Sequence, residues 1–320
     1  MSKEKGKTKR FGKKFLASVA VELVFFVLVY FGVGFYFFRY ALARGDKKIV
    51  KDNPNLPSSE IKQEDRDWAT SAKRYDEQIK SFDGLKLVGT SFWQPETSGK
   101  WVVIVHGYSG DRSNMFRRAK AFYERGFNVL TVDCRGCGES EGKYITMGWL
   151  DRLDLVAWAN KLAADFPESQ IVLYGASMGG AAVMMAAGEN LPPNVKCAIE
   201  DCGYSSVWSE FSHQLWEKFH LPSFPVLSAA NTVTNIFGGF NLREASAVEQ
   251  LKKAKVPVMF IHGSEDAFVL PNMVHECYKA TPTKKELHIV KGAIHNYSFR
   301  ADEAEYMKWC LEFINKSLVA

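Results

Sequence analysis

Ile171–Gly180 reads IVLYGASMGG. A short apolar run ends in Gly175-Ala176-Ser177-Met178-Gly179, and a segment of small residues continues to Gly188. The reading is strand, sharp turn, helix. A serine at such a turn is forced into a strained backbone conformation that lifts its hydroxyl clear of the sheet edge. Glycines two residues before and two after it are needed because a side chain there would collide across the turn. Gly180 and Ala181 then let the helix lie close to neighbouring strands.

Outward from this turn, apolar runs and helical patterns alternate. Glu77–Ser81 and Leu85–Trp93 flank Phe82-Asp83-Gly84 as a hairpin. Trp101–Val105, Phe127–Asp133, Val195–Glu200, Val256–His262 and Lys285–Val290 read as further strands. Asn114–Arg125, Trp149–Asp165, Pro271–Ala280 and Glu303–Leu318 read as helices. Strands separated by helices need crossovers, which gives an α/β fold with a mostly parallel sheet covered on both faces.

Chemistry in such a sheet collects at the carboxyl ends of the strands. His106-Gly107-Tyr108-Ser109-Gly110 follows one strand, Asp133–Ser140 another and Ser177 a third; His262-Gly263-Ser264-Glu265-Asp266 and Gly292-Ala293-Ile294-His295 follow the last two. Serine, then acid, then histidine is the chain order of an α/β-hydrolase triad. A serine hydroxyl needs a base to take its proton, and His295 is placed to supply one. Asp266 would fix the imidazole tautomer. The backbone N–H groups of Tyr108 and Met178 are the candidate oxyanion donors. Glu265 and Asp201 are rival acids, and His106 and His262 read as structural histidines that brace loops. His213, His220, His275 and His288 read as bystanders.

From about residue 78 to the C-terminus the chain resembles the α/β-hydrolases, in particular bacterial membrane-anchored, esterase-like members related to acylaminoacyl peptidase and serine aminopeptidase. The resemblance rests on HGYSG at 106–110, DCRGCGES at 133–140, GASMG at 175–179, HGSEDAFV at 262–269 and GAIHN at 292–296. It implies Ser177 as nucleophile, Asp266 as acid, His295 as base, and Tyr108 and Met178 as oxyanion hole. It also implies hydrolysis of an ester, or of a peptide or amide on the same residues. A binding module without catalysis is the reading from another class.

Residues 1–48 hold eleven Lys/Arg against three acidic residues, so the rest of the chain carries a small negative excess despite the overall charge of +5. A nucleic-acid footprint on the main domain is therefore not expected. Phe15–Phe38 is apolar apart from Glu22. At about 1.5 Å per residue it is long enough to span a bilayer. Ala41-Leu42-Ala43 offers a cleavage site, but the apolar run exceeds the usual signal-peptide core. The expectation is an uncleaved single-pass anchor (15–38) behind a basic cytoplasmic tail (1–14), with the hydrolase domain outside the cytoplasm. A linker with a short helix around Trp68–Tyr75 is expected over 39–76, and the catalytic domain over 77–320.

Six cysteines in a chain of this length are no disulfide scaffold. Cys134-x-x-Cys137 lacks a second pair and reads as a loop; no metal or cofactor is implied. At about 202–250 a helical cap is expected. It is rich in rings (Tyr204, Trp208, Phe211, Trp216, Phe219, Phe224, Phe237, Phe240) that either pack the cap or favour an apolar substrate.

Overall fold

Residues 101–105 form a strand buried along its whole length, and a strand with no solvent face belongs inside a sheet covered on both sides. The computed structural model describes residues 2–45, 62–96 and 98–318, with side chains from residue 15 onward. In it eight strands form one sheet: β1 (Arg74–Lys80), β2 (Lys86–Phe92), β3 (Lys100–Val105), β4 (Asn128–Val132), β5 (Gln170–Ala176), β6 (Val195–Asp201), β7 (Val258–Gly263) and β8 (Lys285–Val290). Their spatial order is β1-β2-β4-β3-β5-β6-β7-β8. Only β1–β2 and β2–β4 pair antiparallel; every later pairing is parallel.

The helices are α1 (Ser2–Leu42), α2 (Gln63–Ser71), α3 (Phe116–Tyr123), α4 (Asp151–Asp165), α5 (Met178–Ala187), α6 (Val207–Phe219), α7 (Ser223–Val233), α8 (Ala247–Leu251), α9 (Asn272–Ala280), α10 (Ser298–Ala301) and α11 (Glu303–Leu318). Two apolar layers sandwich the sheet. Leu155, Trp158, Met184 and Val274 (from α4, α5 and α9) belong to one layer. Ala69, Phe122, Met307 and Ile314 (from α2, α3 and α11) belong to the other. Every residue of α5 is buried, which is why that sequence shows no polar face. Between β6 and β7 the chain leaves the sheet to form α6, α7, a short π-helical turn (Thr234–Gly238) and α8. This helical insertion occupies the place of the expected cap.

Most boundaries move by one to three residues from the sequence reading (β1 begins at Arg74, not Glu77), and two move further. The helix expected around Trp68–Tyr75 lies earlier, at Gln63–Ser71, and Tyr75 is already in β1. Pairing with β2 (Tyr75 opposite Ser91) takes over the backbone hydrogen bonds from Arg74 onward. The N-terminal helix is longer than its apolar core and runs Ser2–Leu42. Of the expected linker over 39–76, residues 46–61 lie outside the described residues.

The apolar stretch Phe15–Leu42 is long and apolar enough to cross a membrane, and it has two parts. Phe15–Val29 is largely bare. From Tyr30 on, one stripe is covered: Tyr30, Val33, Gly34, Phe37, Phe38, Ala41 and Leu42 are buried or half-buried. That spacing is one face of a helix, and the face rests mainly on α7. Gly34 is a point of backbone approach, since a Cβ there would meet the Ala229 carbonyl carbon at 2.8 Å and Val233 Cγ2 at 2.9 Å. Tyr30 and Thr232 share a hydrogen bond of 3.0 Å. Beyond Leu42 the chain is fastened to the catalytic body. Ile145 N–H donates to the Leu42 carbonyl at 2.7 Å, and the Arg44 guanidinium donates to the Gly138 and Ser140 carbonyls at 2.6 and 2.8 Å.

Candidate active site

The turn between β5 and α5 has the strain its sequence implies. Ser177 sits at φ 56°, ψ −120°, and its N–H donates to the Asp201 carbonyl at 2.7 Å. A Cβ on Gly175 would run into the Gly179 carbonyl, and one on Gly179 into the carbonyls of Val105 and His106. Both glycines are thus fixed by close backbone approach. Gly179→Val should destabilise the fold by about 3 kcal/mol, the upper range for overpacking. That corresponds to a drop of roughly 6–10 °C in thermal midpoint, measurable by circular dichroism in detergent.

Three side chains from separate strand ends meet over this turn. Ser177 Oγ lies 2.8 Å from His295 Nε2, and His295 Nδ1 lies 2.7 Å from Asp266 Oδ2. The consistent pattern has Nδ1–H donating to the carboxylate and Nε2 accepting from the hydroxyl. Asp266 Oδ1 accepts from the N–H groups of Phe268 and Val269 at 2.9 and 2.8 Å. Burial pushes the Asp266 carboxyl up, but the charges and hydrogen bonds of His295 and His262 outweigh it. They hold the group below the usual carboxylate range.

The rival acids are placed elsewhere. Glu265 is exposed. Asp201 is tied down by Arg118 at 3.3 Å and by the Tyr306 hydroxyl at 3.0 Å. Arg118 also donates to Asn296 Oδ1 at 2.7 Å and to the Tyr174 hydroxyl at 2.8 Å. This buried network grips the residue next to His295, and nothing local in the sequence announces it.

His106 is a staple. Its Nδ1–H donates to the Gly107 carbonyl at 2.7 Å, and its Nε2 accepts from Cys134 N–H at 3.0 Å, joining the loops after β3 and β4. His262 does more than the sequence reading allowed. Its Nε2 donates to the Val269 carbonyl at 2.9 Å and lies 3.3 Å from Asp266 Oδ2. The acid is thus held between two imidazoles.

Met178 opens α5, so its N–H is one of the four that find no acceptor within a helix. Gly107 packs against the serine: a Cβ on it would lie 3.3 Å from Ser177 Cβ and 3.8 Å from Oγ. The backbone leading into Tyr108 therefore passes directly beside the hydroxyl. Cys202 offers its sulfur within 4.8 Å of the Asp266 and His295 donor atoms. Those atoms are already engaged with each other, and burial pushes the Cys202 thiol well up. A metal held there would have to break the Ser177–His295–Asp266 chain. Cys134 and Cys137 are buried free thiols.

Ser177 opens into a largely apolar cavity lined by the helical insertion (Phe211, Leu215, Phe219, Leu227), by Tyr108 and Tyr204, and by the end of α1 (Phe37, Phe38, Tyr40, Ala41, Leu42). Of the ring-rich stretch, Tyr204, Phe211 and Phe219 line the cavity, while Trp216, Phe224 and Phe237 are exposed. Glu210 also lines it, with Oε2 buried and unpartnered. Burial raises the Glu210 carboxyl to about 8. The folded state therefore retains a proton that the unfolded chain releases above pH ~4.3, and stability falls as pH rises toward 8. Glu210→Gln, neutral throughout, should gain several degrees of thermal midpoint near pH ~9 and almost none near pH ~4. Differential scanning in detergent at both pH values checks it.

A family model described as "Serine aminopeptidase, S33" matches residues 96–219. The chain is 26% identical over 222 residues to the uncharacterized protein YqkD of Bacillus subtilis, covering 69% of this chain and 73% of that one. It is 36% identical over 247 residues to the uncharacterized protein YfhR of Salmonella typhimurium, covering 74% and 80%. The chain belongs to the α/β-hydrolase superfamily. This α/β-hydrolase also shares its fold with the Pyrococcus furiosus esterase Pf2001, at TM-score 0.64 and 24% identity, over 82% of this chain and 97% of that one. In this α/β-hydrolase the apolar N-terminal helix closes one side of the cavity.

Proposed function

We propose that the chain is a membrane-anchored serine hydrolase that cleaves carboxylic esters through an acyl-enzyme. The observation that carries this is the unbroken hydrogen-bonded chain from Ser177 Oγ through His295 to Asp266 at a strained turn. Ser177 Oγ attacks the ester carbonyl while His295 Nε2 takes its proton, and the alcohol leaves carrying that proton. Water, deprotonated by the same nitrogen, then attacks the acyl-serine, and the carboxylic acid departs as Ser177 regains a proton. Tyr108 and Met178 N–H groups receive the oxyanion in both steps, and such a donor is typically worth about 3 kcal/mol of barrier. Asp266 keeps the tautomer that leaves Nε2 free to accept.

The family match named for a serine aminopeptidase supports a peptidase as the second reading. The N-terminal helix is read as an uncleaved anchor because Phe38 and Leu42 are 1% exposed and belong to the hydrophobic core; a cleaved leader would not share a core. The basic residues before Phe15 support a cytoplasmic N-terminus, with the catalytic domain on the other side.

The test is labelling of the detergent-solubilised full chain with a fluorophosphonate, with mass spectrometry to locate the adduct, beside paired assays on p-nitrophenyl butyrate and an aminoacyl anilide. The reading requires an adduct on Ser177 and turnover of the ester. An unlabelled Ser177 in folded protein removes it, and preferential turnover of the anilide transfers it to the peptidase reading.

A further inference from the structure

Among the described residues, the side of the cavity facing α1 is built from a segment that by composition belongs to the membrane. Phe37, Phe38, Tyr40, Ala41 and Leu42 line the same space as Ser177. They are held there by specific contacts. The Tyr108 hydroxyl donates to the Ala41 carbonyl. Phe219 of α6 packs edge-on against both Phe37 and Tyr40, with ring centroids 5.2 and 5.5 Å apart. Phe38 packs on Tyr144 at 4.7 Å.

The lengths place this wall close to a bilayer. Phe15–Leu42 is 28 residues, about 42 Å of helix, against a hydrocarbon core of about 30 Å. A helix entering that core at Phe15, after Lys13-Lys14, leaves it near Gly34, about 20 residues on. The contact of α1 with α7 begins at Tyr30, about one helical turn before that exit, so the insertion meets the helix in the last turn of the span and continues beyond it. The insertion's exposed apolar side chains include Phe224 (77% exposed), Ile236 (59%) and Phe237 (54%). Phe237 packs on Phe35 of the anchor at 6.0 Å, which makes these residues continuous with the lipid-facing helix. The cavity wall at Phe37–Leu42 then stands within about 12 Å of the hydrocarbon at 1.5 Å per residue.

We propose that the end of the anchor is a working wall of the substrate site, and that the substrate is a long-chain fatty acyl ester drawn from the bilayer, its chain lying between α1 and the helical insertion. The proposal rests on Ser177 being the nucleophile. The cavity suits a hydrocarbon because its lining is apolar save for Ser177, Glu210 and side chains whose polar atoms are already paired, such as Tyr204 to the Met147 carbonyl and Gln214 to the Phe268 carbonyl. Each methylene that enters such a space contributes about fourfold to binding. Recognition by chain length follows, with the reacting carbonyl left at the sheet edge.

The experiment uses the full chain reconstituted in phosphatidylcholine vesicles and a series of p-nitrophenyl esters from acetate to laurate. We expect kcat/KM to rise at least about tenfold from butyrate to octanoate. Gly34→Leu, which forces α1 off Ala229 and Val233 without touching the cavity, should flatten that rise while butyrate turnover and fluorophosphonate labelling persist. If Gly34→Leu does not fold, Ala41→Trp decides: filling the cavity from the anchor side should lower the laurate-to-butyrate ratio at least about tenfold. A second arm presents a fluorogenic long-chain ester in the enzyme's own vesicles or in separate ones, and faster turnover in the enzyme's own is expected. Equal rates overturn the bilayer as source. A labelled, active protein with a flat or falling chain-length profile overturns the inference and leaves the serine-hydrolase reading standing. Absence of both labelling and turnover in folded protein overturns both.

Discussion

Ser177→Ala is expected to lower kcat on p-nitrophenyl butyrate by about 10⁶-fold and to abolish fluorophosphonate labelling. The loss is large because the hydroxyl is the group in hydrogen-bond reach of the base: it lies 2.8 Å from His295 Nε2 on a turn held by its own N–H bond to Asp201. A residual rate above the uncatalysed reaction should remain, since the proposed oxyanion donors, the Met178 and Tyr108 N–H groups, do not depend on the serine side chain. The substitution removes one oxygen and should leave the thermal midpoint within a few degrees of the parent, so lost activity cannot be confused with lost fold. Turnover persisting near the parent rate would remove Ser177 from the reaction.

Asp266→Asn is expected to cost about 10⁴-fold in kcat with little change in KM. The amide can donate to Nδ1, which turns the His295 ring into the tautomer whose Nε2 bears a proton and cannot accept from Ser177. Burial pushes the parent carboxyl up, but His295 and His262 outweigh it and keep the carboxylate ionised to below its ordinary range. The stability this contributes is present above the unfolded value of about 3.9 and is lost as pH falls through the lower folded value. The acid limb of the parent's pH–rate profile should therefore not report Asp266. Asp266→Asn should also flatten the loss of stability in acid, because the substituted side chain takes up no proton. A kcat within about tenfold of the parent would remove the acid's role from Asp266.

The parts of the site that were legible in the sequence are those encoded within a few residues. The glycines around Ser177 announce a turn because the clash they avoid is local, and Asp266 and His295 stand at the ends of strands recognisable by their apolar runs. What escaped is tertiary. Arg118 and Tyr306 converge on Asp201, Arg118 also ties in Tyr174 and Asn296, and His262 reaches Asp266 across a loop whose shape no pattern encodes. The helix near Trp68 was displaced for a similar reason: β2 claimed Arg74 onward as a strand partner. The covered stripe on α1 was invisible because a helix that is apolar all round shows no periodicity. Tyr30, Gly34, Phe37 and Leu42 look like neighbours that face lipid.

The fastening of α1 bears on how the enzyme is held in place. The helix is joined to the catalytic body by its own side contacts and by Arg44, not merely by the peptide chain that runs on from it. A protease nicking the chain between residues 45 and 62 would sever the covalent link yet release nothing, because the two fragments still share a core. The helix and the mouth of the cavity thus keep one fixed bearing to each other, like a lamp on a rigid post rather than on a cord.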